Sequence, residues 1–243
     1  MIPALIAVGA LVYTAWLLEV ALATGLDPVQ TYVSELAAED QPFGGLFRAT
    51  DLAAGSLVFA GAVWALTRAV RGPRRPWALI GWAGVTLFGA ATAVDSRLPL
   101  SCAPTDDPEC AARETAGLVP ATHTAHAVSS SLAMTGALIG IVGLTIAARR
   151  YGWWPEVAAF GPVLVVLELA ATGWTLGSIA AFEAGNGTWA LGAGQRLQVL
   201  FVAVWLGVLA LSLAREAARR PGTPEDATRD GDPGTGRPEA VAR

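Results

Sequence analysis

Two imidazoles and a hydroxyl, His123, His126 and Ser130, recur at i, i+3 and i+7 in one apolar stretch of this 243-residue chain. If that stretch is a helix, they share a face, with Ser129 and Ser131 flanking them. Carboxyls occur at comparable depth in other apolar stretches. Glu19 lies about one turn before the end of the first, Asp51 borders the second, and Asp95 ends the third. Together these residues predict a small polar pocket between apolar segments. Neutral imidazole and carboxylate are zinc ligands, which makes His123, His126 and Asp95 a candidate divalent-metal set. Histidine also titrates near neutrality, so the same groups could relay protons. A third reading is structural, with each residue an interhelical hydrogen bond worth about 0.6–2 kcal/mol and His123 in water at the interface. The motif favours the structural reading. H-x-x-H lacks the glutamate of H-E-x-x-H, and its spacing is i, i+3 rather than i, i+4.

Glu168 is a separate case, in the middle of the fifth apolar stretch. An ionisable group at such depth is costly unless it has a function or a partner. Thr172 and Thr175 lie on its stripe and can hydrogen-bond its carboxyl. No Gly-rich phosphate loop, G-x-S-x-G elbow or Cys/His nucleophile pair is present. Asn186-Gly187-Thr188 fits a glycosylation sequon, which means little if the source is bacterial.

The elements that must hold these residues follow from composition. Hydrophobic residues make up 53% of the chain and charged residues 15%, and the mean hydropathy is +0.49. A soluble domain of this length does not hide so much apolar surface. Several windows of about 18 residues or more lack Arg, Asp and Glu, which suffices to cross about 30 Å of hydrocarbon. The expected fold is therefore an all-α polytopic bundle with spans near 2–24, 52–70, 77–94, 122–147, 157–180 and 197–213. Backbone amides in lipid need internal partners, which makes each span a helix. The runs are continuously apolar, not alternating, which excludes a β-barrel. Ala21-Leu22-Ala23 resembles a signal-peptide cleavage site, but no basic stretch precedes Ile2, so the first segment reads as a retained helix.

All 16 basic residues are arginine, which together with abundant Ala, Gly and Pro points to a high-GC bacterial source and its plasma membrane. Alternating spans put Arg68, Arg71, Arg74, Arg75, Arg149, Arg150, Arg215, Arg219 and Arg220 on one side. The positive-inside rule makes that side cytoplasmic, with both termini. Trp153 and Trp154 fit an aromatic belt there. The other side carries eleven acids, among them Glu35, Asp51, Asp95 and Glu114. With a net charge of −4, no basic field points to nucleic acid.

Both cysteines, Cys102 and Cys110, fall in one outer loop and read as a disulfide. Free thiols or a metal pair are the alternatives, the metal disfavoured because no histidine or third cysteine lies beside them. In the outer segment 25–51, residues 31–38 suit a short surface helix. Phe43 and Phe47 would dip towards lipid, with a bend at Gly44-Gly45. Residues 216–243 are expected to be a disordered cytoplasmic tail, their composition past Pro221 being Pro, Gly, Asp and Thr with almost no large apolar residue.

The run Tyr32-Val33-Ser34-Glu35-Leu36-Ala37, then Pro42-Phe43, Phe47-Arg48, Asp51 and Gly55, resembles the domain-of-unknown-function 998 family of multi-pass membrane proteins. Asp95, the cysteine-bearing loop and the His126 stripe are similar as well. A looser resemblance links the layout to the Frag1/DRAM/Sfk1 group of six-span proteins. The first resemblance implies candidate functional residues at Ser34, Glu35, Asp51, Asp95 and His126, and neither brings a reaction. Without a complete catalytic constellation, the expectation is a non-enzymatic membrane protein that binds a lipid or small ligand or organises the envelope. Two rivals stand beside it. One is a metal-dependent intramembrane lipid hydrolase using His123, His126 and Asp95, with Ser130 or a carboxylate assisting. The other is a proton-coupled transporter with Glu168 as carrier.

Overall fold

A computed structural model describes residues 1–72 and 75–219. Among them there is no strand. Seven α-helices occur: α1 (Ile2–Tyr13), α2 (Gly44–Arg71), α3 (Pro76–Asp95), α4 (Pro108–Thr115), α5 (Ala121–Tyr151), α6 (Pro155–Glu183) and α7 (Leu191–Arg219). Two 3-10 turns, Ala15–Val20 and Val33–Ala37, complete the set. Six segments are long and apolar enough to cross a membrane, the first being α1 with its 3-10 continuation, Ile2–Val20. The chain is a multi-pass, all-helical membrane protein.

The six long helices pack as a closed ring in the order α1, α2, α3, α5, α6, α7 and back to α1. Small residues set how closely neighbours approach, because packing rather than hydrophobic exclusion drives helix association in lipid. A Cβ on Gly84 would lie 2.5 Å from the Gly140 amide nitrogen, and one on Gly89 would lie 2.5 Å from that of Phe59. The α3 backbone is thus pressed against α5 on one side and α2 on the other. Ile6, Val58, Phe88, Ile141, Leu144, Trp205 and Leu209 fill the interior as one apolar cluster. Lipid solvates the outside, where Phe160, Val163, Val166 and Leu176 are exposed.

Several helix ends depart from the hydropathy windows. Helix α2 begins at Gly44 rather than near 52, so Gly44-Gly45 opens a helix instead of bending a loop. Phe47 is buried at 4% exposure and does not reach lipid. The reason is local. Arg48 donates from Nη1 to the Ala37 and Ala38 carbonyls at 2.7 and 3.2 Å, so its charge is satisfied inside the protein. The predicted surface helix is the 3-10 turn Val33–Ala37, in which Glu35, Leu36 and Ala37 are buried. Helix α7 runs to Arg219, into the segment expected to be tail; the rest of that segment lies outside the described residues. Cys102 and Cys110 form a disulfide across the start of α4, a helix the hydropathy reading does not contain.

Candidate functional site

Where α1, α2, α3, α5 and α7 converge at the acid-rich end, the ring encloses a cavity of about 120 Å³. Every ring helix except α6 contributes to its wall, and the turn Val33–Ala37 adds Val33, Ser34 and Leu36. Its polar lining includes Asp51 from α2, Asp95 and Thr92 from α3, Ser130 from α5, and Gln195 and Gln198 from α7. Tyr13, Trp16, Phe47 and Met134 supply aromatic and apolar surface. The antiparallel crossing of α2 and α3 brings the two aspartates to the same level. A Cβ on Gly55, one turn beyond Asp51, would meet the Ala93 amide nitrogen at 2.5 Å.

The two aspartates differ in what holds them. Asp95 is fully engaged: Ser129 Oγ donates to its Oδ1, Ser130 Oγ donates to Oδ2 at 3.0 Å, and His126 Nδ1 lies 3.2 Å from Oδ1. The Asp51 carboxyl accepts no hydrogen bond from any of the described residues. Two further polar atoms in the wall, Trp16 Nε1 and Thr92 Oγ1, are buried without a partner. Buried polar groups are almost always satisfied, so two unused ones beside an unpartnered carboxyl point to something the cavity holds.

His126 completes a short relay. Its Nδ1 lies 3.0 Å from the Leu98 carbonyl, which can only accept, so Nδ1 carries the proton and Nε2 is the acceptor. Ser130 Oγ lies 3.2 Å from that Nε2. Aspartate, imidazole and hydroxyl are therefore contiguous at the cavity wall. The serine proton has a rival acceptor in Asp95 Oδ2, and a hydroxyl bonded to a carboxylate is held rather than activated.

Not every expected residue joins this site. His123, though on the stripe, accepts at Nδ1 from the Ser101 amide at 3.0 Å, and its Nε2 lies 3.5 Å from Glu114 Oε1. It anchors the disulfide-bearing loop. No three His, Cys, Asp or Glu side chains are grouped to hold a metal among the described residues. The set His123, His126 and Asp95 therefore does not assemble, because His123 turns to Ser101 and Glu114 and only His126 lies beside Asp95. Glu19 is also elsewhere. It pairs with Arg196 through two bonds, Nε to Oε1 at 2.7 Å and Nη2 to Oε2 at 2.6 Å. Arg196 Nη1 also donates to the Thr31 carbonyl at 2.8 Å, tying the segment between α1 and α2 to α7.

Ser34 lines the cavity, whereas its neighbour Glu35 points away from it. The Glu35 carboxyl is 0% exposed. It accepts from Thr105 N at 2.7 Å, Thr105 Oγ1 at 2.5 Å and Tyr32 N at 3.0 Å. Burial pushes its pKa up to about 7, against the lowering effect of those bonds. Burial likewise raises the Tyr32 phenol above its ordinary range.

Glu168 is 0% exposed in α6. Thr172 Oγ1 donates to its Oε1 at 3.5 Å and accepts from Gln198 Nε2 at 2.8 Å. Its Oε2 has no partner. Through Gln198 this chain of side chains reaches the cavity, which makes Glu168 an outlying member of the same polar system.

Sequence reasoning missed Gln195, Gln198 and Trp16. A usable signal existed for the glutamines: Gln195, Arg196 and Gln198 are the polar residues inside the otherwise apolar and glycine-rich start of α7.

Among known proteins, a family model described as a protein of unknown function, DUF998, matches residues 6–212. No curated protein matches. No solved structure matches either.

Proposed function

The chain belongs to the DUF998 family of proteins of unknown function, and on that premise we propose a non-catalytic binding role. The cavity takes a small ligand rich in hydrogen-bond donors, of which a primary ammonium group fits the charge. The observation that carries this reading is the Asp51 carboxyl, which faces the cavity and has no partner among the described residues. A carboxylate kept in an apolar bundle without a protein cation is costly, and a ligand cation would remove that cost. Trp16 Nε1 and Thr92 Oγ1 supply two further unfilled positions in the same wall. We place the arginine-rich end in the cytoplasm of a bacterial cell and the cavity at the outer end, by the positive-inside rule.

The test is a thermal-shift titration of detergent-purified protein with ethanolamine, other primary amines and matched neutral alcohols. Primary amines should raise the unfolding midpoint of the wild type and leave Asp51→Asn unmoved. A midpoint indifferent to every amine, or one that rises equally for the alcohols, removes the reading.

A hydrolase is the second reading, supported by the contact between Ser130 and His126. It requires Ser130 to be reactive. Labelling by a fluorophosphonate probe that is lost in Ser130→Ala would favour hydrolysis over binding alone.

A further inference from the structure

The opposite, arginine-rich end of the bundle holds a cavity of about 380 Å³ that the proposed function leaves unused. It lies where α2 ends, α3 begins and α6 begins. Its floor is aromatic. Trp82 and Trp154 are both buried and meet edge to face with centroids 6.1 Å apart. Trp154 holds a φ of 47°, a left-handed conformation that disfavours any residue with a side chain. Its indole N–H donates to Glu216 Oε2 at 2.8 Å, which keeps the ring turned inward. Backbone strain of this kind persists only where the surroundings impose it, and it clusters at ligand sites.

Two guanidinium groups border this floor. Arg75 lies over the Tyr151 and Trp153 rings, 4.7 and 4.8 Å from their centroids. Arg68 lies over Trp64 at 5.2 Å. Neither forms an ion pair with a carboxylate among the described residues. A guanidinium laid on a ring face keeps its planar fork of N–H donors available, and that fork matches phosphate oxygens. The remaining wall is greasy, with Ile2, Ala69 and Leu213 in it. A neighbouring cavity of about 360 Å³ shares Ile2, Arg68, Leu213 and Glu216 with the first. Two arginines therefore face one carboxylate, and that carboxylate is engaged by Trp154.

We propose that this cavity binds the headgroup phosphate of an anionic phospholipid. Arg68 and Arg75 hold the phosphate oxygens, and the apolar wall takes the first part of the acyl chains. The residual positive charge selects an anionic headgroup over a zwitterionic one. The apolar wall and the position at the ends of the spans select a lipid over a free phosphate.

Native mass spectrometry of the purified full chain, titrated with phosphatidylglycerol, phosphatidylcholine or inorganic phosphate, tests this. The wild type should retain phosphatidylglycerol through delipidating collision energies and lose the other two. Arg68→Ala with Arg75→Ala should weaken retention by about tenfold or more, the loss of roughly 1.4 kcal/mol or more. Arg75→Lys, which keeps the charge but not the fork, should fall between them and serves if the double variant does not fold. Arg149→Ala with Arg150→Ala alters exposed arginines outside the cavity and should bind as the wild type does. Equal retention by the wild type and both Arg75 variants would overturn the proposal. So would an equal loss in the Arg149/Arg150 variant, which would mean diffuse attraction, or equal retention of phosphatidylcholine or inorganic phosphate.

Discussion

The Glu35 carboxyl holds Thr105 by both its amide and its hydroxyl, at 2.7 and 2.5 Å, across seventy residues of chain. Thr105 lies between Cys102 and Cys110, so this contact fastens the turn Val33–Ala37 to the disulfide loop. Because Val33, Ser34 and Leu36 line the cavity, whatever loosens Glu35 also loosens one wall of the site.

Stability should therefore depend on pH through Glu35. Its carboxyl sits at about 7 in the folded protein against an ordinary 4.5, raised by burial. The folded state thus binds this proton more tightly than the unfolded chain does. The resulting stabilisation, on the order of 3 kcal/mol at most, is complete below about pH 4.5 and is lost as pH rises through 7. In Glu35→Gln the amide must face an N–H donor, which lowers the stability throughout by about 1–3 kcal/mol. It also removes the Glu35 share of the pH slope. Thermal midpoints of both proteins between pH 4 and 8 check this; an unchanged slope in the variant would contradict it.

The disulfide should matter through the same contact. It closes a sequence separation of 8 residues, for which loop entropy gives about 2–3 kcal/mol. Reduction, or replacement of Cys102 and Cys110 by serine, should lower the stability by that amount. Amide exchange at Thr105 and Tyr32 should rise together, and protection unchanged at Tyr32 would show that the loop and the turn are not linked.

How much of this was legible in the residues divides by the physics. Six spans could be read because hydrocarbon tolerates only long uncharged runs. The helix ends could not, because a hydropathy window treats a charge as a boundary. Arg48 and Arg196 lie within helices, their charges satisfied by carbonyls and by Glu19. For the same reason Glu19 and His123 read as pocket residues. Their partners, Arg196 and Ser101, are distant in sequence, and no periodicity records such a pairing. Ser34, Asp51, Asp95 and Ser130 line one cavity, and what marks them in the residues is only that all four fall towards the acid-rich side of the spans.

The Glu19–Arg196 pair should be strongly asymmetric to mutation. Both side chains are at most 8% exposed, so removing one strands the other. Glu19→Ala should cost about 3–5 kcal/mol, whereas Glu19→Leu with Arg196→Met should recover most of it. Arg196 also holds the Thr31 carbonyl, so the double variant should stay slightly below the wild type. Denaturant midpoints in detergent measure both, and additive losses would show that the pair is not coupled.

The two aspartates should respond in opposite ways to the same chemical change. Asp95 accepts from Ser129 and Ser130 and lies beside His126. Asp95→Asn puts donor hydrogens where one of those hydroxyls donates, which should cost about 1–3 kcal/mol. Asp51 has no such partners, and replacing it with asparagine removes an unpaired carboxyl from the cavity wall. Asp51→Asn should therefore leave the stability unchanged or raise it by about 0.5–2 kcal/mol, as substitutions at functional positions do. Side-by-side melts of the two variants decide the matter. If Asp51→Asn destabilises as much as Asp95→Asn, Asp51 is held by the fold and is not left open for a ligand.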